Sequence, residues 1–217
     1  MGKSRNAVAV FDKVAELYQS KFMDVSLYGK TLDAFCDLIG EKASVLELAC
    51  GPGNITKYLL DRHSKLQVLA TDLAPNMVKL AKANNPTARF QLLDCRDLAA
   101  IDMKFDAIMC GFCLPYLSKD ETIKLIADAA LVLNDNGLLY LSTMEDDYEK
   151  SGFKTGSTGD TVFQHFYTLD LLESILVRSH FELVYTERLV STTENTTVTD
   201  LVIIAKLKSR QLPFEQS

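Results

Sequence analysis

Val45-Leu46-Glu47-Leu48-Ala49-Cys50-Gly51-Pro52-Gly53-Asn54 decides how the rest of this 217-residue chain is read. Its first residues are a short, mainly apolar run of the kind that fills a buried strand, and two glycines then turn the chain. Ile55 to Arg62 follows at helical spacing. Strand, glycine turn and helix in that order make a nucleotide-binding corner. Glycine lets the backbone approach a ligand closely, and the helix N-terminus offers unpaired N–H donors.

Working outward, strand-like and helix-like segments alternate. Leu66 to Thr71 reads as a second strand ending on Asp72, and Pro75 opens a helix through Ala83, as proline favours the first helical turn. Arg89 to Leu93 is a third strand ending on Asp94. Phe105 to Cys110 is a fourth, and Ser118 begins a helix to Leu133. Asp135-Asn136-Gly137 is a turn before a fifth strand, Leu138 to Thr143. This alternation predicts a parallel sheet covered on both faces. Upstream, Ala7 to Phe22 and Ser26 to Ile39 carry apolar residues at helical spacing, so two helices precede the first strand. Beyond Met144 the rhythm changes. Glu145 to Gly159 is polar and glycine-containing, a loop or loose hairpin, and Thr161 to Tyr167 is aromatic and extended. Leu169 to Ser179 is a further helix, capped by Thr168 or Asp170, with Glu173 completing an Asp-x-x-Glu box. Phe181 to Leu189 and Val198 to Leu207, joined by a Thr-rich turn around Asn195, form an antiparallel pair.

Three ligands compete for residues 45–54. A phosphate-cradling loop would end in Gly-Lys-Ser/Thr, which is missing here. A dinucleotide turn would carry a third glycine where Thr56 stands. A methyl-donor site fits best. The stretch 45–54 resembles motif I of the class I S-adenosylmethionine-dependent methyltransferases, with Ala49 standing at the family's first glycine. Thr71 to Met77 resembles the family's acidic strand-two end, Leu92 to Leu98 its adenine-edge motif, Phe105 to Cys110 its fourth-strand motif and Asn136 to Tyr140 its fifth. The resemblance covers about residues 43–145. It implies a three-layer, Rossmann-like, seven-stranded and mostly parallel sheet with an antiparallel last strand and an N-terminal helical lid. The expected single domain divides into a lid (1–42), a cofactor core (43–145), an insert over the acceptor pocket (146–167) and a last helix with the antiparallel strand pair (168–208).

The cofactor the resemblance implies is S-adenosyl-L-methionine, leaving as S-adenosyl-L-homocysteine. Asp72, 19 residues beyond Gly53, would accept hydrogen bonds from both ribose hydroxyls. Asp94, or Asp97 in its stead, would accept from the adenine amino group while the Cys95 N–H donates to the ring. Leu73 and Met77 would flank the adenine. Glu47, below the turn, would orient the methionine end, and Ala49, Gly51, Gly53, Asn54 and Cys110 complete the expected cofactor set. Tyr18 resembles the tyrosine that closes over the cofactor in small-molecule members; Tyr28 and Tyr116 are further candidates. His165, between Phe163, Phe166 and Tyr167 in the insert, is the candidate base, or else a packed core histidine. Cys110-Gly111-Phe112-Cys113, with Cys50 and Cys95 at neighbouring strand ends, raises coordination of a soft metalloid acceptor as an alternative, and no resident metal site is expected.

Composition narrows the partners. A formal net charge of −6 argues against nonspecific nucleic-acid binding, which needs clustered Lys and Arg. No apolar run reaches membrane-span length, and five cysteines, an odd number, suit a reducing compartment; a cytoplasmic protein is expected. The Asn-Pro-Pro-Tyr-type run of amino-directed nucleic-acid methyltransferases is absent, so a small organic acceptor is expected. A protein or RNA acceptor, or cofactor binding without catalysis, are the rival readings. The sequence leaves the oligomeric state open.

Overall fold

A computed structural model describes residues 3–193 and 196–209; Asn195 and the turn expected around it lie outside the described residues. Nine strands and seven α-helices follow the order α1 (Lys3–Lys13), α2 (Ala15–Phe22), α3 (Gly29–Leu38), β1 (Ser44–Leu48), α4 (Asn54–Arg62), β2 (Gln67–Asp72), α5 (Pro75–Asn84), β3 (Arg89–Leu92), β4 (Phe105–Cys110), α6 (Lys119–Val132), β5 (Leu133–Met144), β6 (Gly152–Thr155), β7 (Thr161–Gln164), α7 (Leu169–Arg178), β8 (Phe181–Thr193) and β9 (Thr196–Leu207) among the described residues. The seven-stranded sheet runs β3-β2-β1-β4-β5-β9-β8. β1 to β5 are parallel, and β9 enters antiparallel between β5 and β8.

The alternation of side chains along the central strands separates two apolar layers. Leu46, Leu48, Ile108, Leu139, Leu141 and Ile203 face α6 and α7, where Leu125, Ile126, Leu172 and Leu176 are fully buried. Val45, Ala107, Met109, Tyr140 and Ile204 face the other way, onto Leu32 and Phe35 of α3 and Leu59 of α4. This gives the expected three layers. It also puts the C-terminal ends of β1, β2 and β4, where the strand order reverses, on one edge of the sheet.

Four expectations are corrected. The first lid helix is divided at Val14, whose φ of −104° and ψ of 16° leave the helical range, into α1 and α2. Asp135-Asn136-Gly137 lies within β5 as a bulge rather than before the strand. The register with β4 jumps there, and Asn136 takes a left-handed φ of 63°. Thr168, not Asp170, caps α7 by accepting from the Leu171 N–H, so the Asp-x-x-Glu box does not form. Finally, the second lid helix begins only at Gly29, after a short 3-10 turn over Ser26–Tyr28.

The 145–167 segment folds as an antiparallel hairpin of β6 and β7. The lid reaches it through Asn6, whose side chain donates to the Thr161 carbonyl at 2.8 Å, and through Lys13, paired with Asp160 at 2.9 Å. Asp12 accepts from the Asn76 N–H at 2.7 Å, which fixes α1 at the N-terminus of α5. Lid and hairpin thus meet above the reversal point of the sheet.

Candidate active site

The glycine turn after β1 is held by side chains from β2 and from the end of α5. Asp72 Oδ2 accepts from the Gly51 N–H at 2.9 Å and its Oδ1 from the Ala74 N–H at 2.8 Å. Burial pushes the Asp72 carboxyl upward against those backbone donors. Gly53 takes φ of 81°, and a Cβ there would lie 2.4 Å from Asn85 Nδ2 and 3.2 Å from Ala81, so only glycine lets the turn settle on α5. Ala49 also adopts a left-handed φ, 52°, without glycine's freedom.

Beneath the turn Glu47 is 1% exposed. Burial pushes its carboxyl up to about 8, and the Thr56 hydroxyl, donating to Oε2 at 2.5 Å, only partly offsets this. Thr56 therefore has a partner of its own. The residue that displaces the third glycine of a dinucleotide turn is the hydrogen-bond donor to the buried acid, a link between α4 and β1 that sequence reading missed. A hydroxyl one turn into the helix after a strand glutamate was the available signal.

A cleft open to solvent lies on this edge of the sheet. Ala49, Gly51, Asp72, Leu73, Met77, Asp94 and Cys95 line it, and Tyr18 reaches it from the lid. Asp97 is exposed, so Asp94 is the carboxylate at the cleft. Its Oδ1 and Oδ2 accept from the Arg96 guanidinium at 2.8 and 2.5 Å, and Arg96 also reaches Glu121 at 3.0 Å. Sequence reading missed this clasp and the part played by Phe11, which with Phe112 and the candidate Tyr116 supplies aromatic walls. Phe11 packs edge-on against both Tyr18 and Tyr116, with ring centroids 5.8 and 4.9 Å away. Burial, with Tyr116 and Asp72 nearby, pushes the Tyr18 phenol upward.

Other expected residues lie outside the cleft wall. Glu47 and Gly53 support the turn from behind. Asn54 ties the lid to α4, its amide donating to the Phe22 carbonyl at 2.8 Å. Cys110 is fully buried in the sheet core. The His165 ring is buried against Tyr148 and Phe163, with centroids 5.7 and 4.7 Å away, while the His165 backbone N–H donates to the Pro115 carbonyl. It is not among the residues that line the cleft. Tyr28 donates instead to Asp200 at 2.8 Å. Among the described residues, no group of three or more His, Cys, Asp or Glu is placed to hold a metal ion, and no helix is long and apolar enough to cross a membrane.

The geometry fits an adenosyl ligand. A bare Gly51 borders the cleft, the Asp72 oxygens keep lone pairs for vicinal hydroxyls beyond the backbone bonds they accept, and Leu73 and Met77 add apolar lining. Residues 45–137 match the family model described as a methyltransferase domain. Among curated relatives, the chain is 34% identical over 110 residues to trans-aconitate 2-methyltransferase of Variovorax paradoxus (strain S110), covering 51% of this chain and 41% of that protein. It is 31% identical over 105 residues to malonyl-[acyl-carrier protein] O-methyltransferase of Anoxybacillus flavithermus (strain DSM 21510 / WK1), covering 48% and 39%. The chain thus spans about two fifths of the length of these relatives. Among solved structures, 1,6-didemethyltoxoflavin-N1-methyltransferase of Burkholderia thailandensis superimposes with a TM-score of 0.72 at 20% identity, over 94% of this chain and 88% of that one, a likeness of fold. The chain thus carries a stretch, residues 45–137, that matches a methyltransferase domain, within a Rossmann-like fold shared with that methyltransferase.

Proposed function

We propose that the chain is an enzyme that transfers a methyl group from S-adenosyl-L-methionine to a small, neutral aromatic or heteroaromatic acceptor. The observation that carries the reading is the convergence of Gly51, Asp72 and Tyr18 on one cleft at the sheet's reversal point. When bound, the cofactor's sulfonium supplies an already activated methyl carbon, so the reaction is an in-line displacement. The protein's task is then alignment and exclusion of water. Asp72 would hold the ribose hydroxyls, Asp94 and the Cys95 N–H the adenine edge, and Glu47 the polarity under the methionine end. Tyr18 and Phe11 close the cleft from the lid. His165 is kept as the candidate base, acting only if hairpin movement brings its ring to the acceptor.

The acceptor class follows from the walls. Phe11, Phe112 and Tyr116 offer stacking faces. Arg96, the one cation among the described residues that line the cleft, is already clasped by Asp94 and Glu121. A carboxylate acceptor, such as the names of the trans-aconitate and malonyl relatives indicate for those proteins, would find no free partner there. A hydroxylated or nitrogen-containing ring suits the site better, as does the didemethyltoxoflavin named for the structural neighbour. Turnover of S-adenosyl-L-methionine against panels of phenols, N-heterocycles and small carboxylic acids tests this. Product formation with a phenol or heterocycle, lost in Tyr116→Ala, is expected; turnover with carboxylic acids alone would overturn the acceptor class.

A further inference from the structure

The methyl-transfer reading leaves one chemical feature of the cleft unused. Cys95, which follows Asp94, and Cys113, which lies past the end of β4, come together there with sulfurs 3.5 Å apart. Both line the cleft, and Cys113 is 4% exposed. The other cysteines do not share this position. Cys36 and Cys50 are buried in the opposite apolar layer, and Cys110 hydrogen-bonds Cys113 from behind, within the core. The pair is thus a dithiol facing the slot expected to take the adenine.

Its spacing selects among the reactions open to two thiols. A disulfide requires sulfurs about 2.05 Å apart, so the pair would have to close by about 1.5 Å. The hydrogen bond to Cys113, with burial, raises the Cys95 thiol; the hydrogen bond to Cys110, with burial, raises Cys113 against the lowering effect of Cys95, which leaves little thiolate to attack an oxidant. Two sulfurs on one thiophilic centre, at bonds of about 2.3 Å, need almost no movement: a 3.5 Å separation then subtends about 100°.

We propose that Cys95 and Cys113 form a capture site for trivalent arsenicals, and that its occupation excludes the cofactor's adenine. The capture is a ligand exchange without redox change. Two As–O bonds of a hydrated organoarsenic(III) break and two As–S bonds form. The two thiol protons leave with the departing hydroxides as two waters, and arsenic remains trivalent. The protons depart with oxygen, so free thiolate is not a stoichiometric requirement. Capture itself is independent of methyl transfer; only the exclusion of adenine rests on the proposed cofactor reading.

The test uses the whole chain and phenylarsine oxide, read by native mass and by titration of the remaining thiols. One phenylarsine per chain and loss of two titratable thiols are expected, with peptide mapping placing the bridge on Cys95 and Cys113. Cys95→Ser, at the less buried of the two positions, is expected to weaken capture by about 100-fold or more, because one thiol loses the chelate advantage; Cys36→Ser is expected to leave it unchanged. A bridge mapped to other cysteines, or undiminished capture in Cys95→Ser, would overturn the site. S-adenosylhomocysteine is expected to slow capture. If that ligand binds by calorimetry yet gives no protection, the exclusion is overturned. If it does not bind at all, the cofactor reading fails, and with it the exclusion, while the mapped bridge still decides the capture site.

Discussion

Glu47→Gln isolates the buried acid beneath the glycine turn. In the folded chain this carboxyl titrates near 8 instead of 4.5, with burial as the main cause. A raised folded-state value means that the native state holds the proton more tightly than the unfolded chain does. The Glu47 contribution is therefore fully present below about pH 4.5 and is lost as pH rises toward about 8. At 1.36 kcal/mol per pH unit, the loss amounts to about 3 kcal/mol at pH 7 and about 5 kcal/mol above pH 8. Glutamine keeps an acceptor for the Thr56 hydroxyl and cannot ionise. Urea unfolding of both proteins at pH 5, 7 and 9 is the assay, with the m-value as the check that the transition is unchanged. The variant's advantage should be under about 1 kcal/mol at pH 5 and grow by a few kcal/mol at pH 9. A difference that stays constant with pH, or a variant less stable at pH 9, would refute the assignment of a neutral buried acid.

Other perturbations test the turn's construction. Ala49→Gly relieves a left-handed alanine and should raise stability by about 1 kcal/mol, seen as a melting temperature about 2–4 °C higher. Gly53→Ala combines the same backbone strain with overlap on Asn85 and Ala81, so a loss of about 2–4 kcal/mol by denaturant unfolding is expected. Thr56→Val removes the donor to Glu47; unfolding at pH 9 should show a loss of about 1–3 kcal/mol, shrinking toward pH 5 as the acid takes its proton.

The parallel half of the fold was legible because its punctuation is local. Pro75 at a helix start, Ser118 with Glu121 as a reciprocal cap, and Asp72 and Asp94 just after apolar runs mark boundaries within a few residues of sequence. Val14 left no such mark, since its apolar spacing continues a helix that its backbone angles interrupt. Asn136-Gly137 signalled a reversal, yet the chain resolves it as a bulge because the residues on either side still find partners on β4. In the site, the residues that touch the cleft were largely readable from their positions after strands. What sequence did not disclose was long-range pairing. Asn54 with Phe22, Arg96 with Glu121, and Tyr28 with Asp200 are separated by 32, 25 and 172 residues, and each redirects a polar group that composition alone would leave available to a ligand.

The central claim is that the corner around Gly51 and Asp72 holds S-adenosyl-L-methionine. Calorimetric titration of S-adenosylhomocysteine and of NAD into the chain and into Asp72→Asn tests it most directly. Asparagine keeps an acceptor but loses the charge, and each hydrogen bond to a charged group contributes about 1.5–3 kcal/mol, so a weakening of about 10-fold or more is predicted. S-adenosylhomocysteine should bind the wild-type chain and weaken in the variant, with no heat from NAD. Binding of NAD with no binding of S-adenosylhomocysteine would contradict the account.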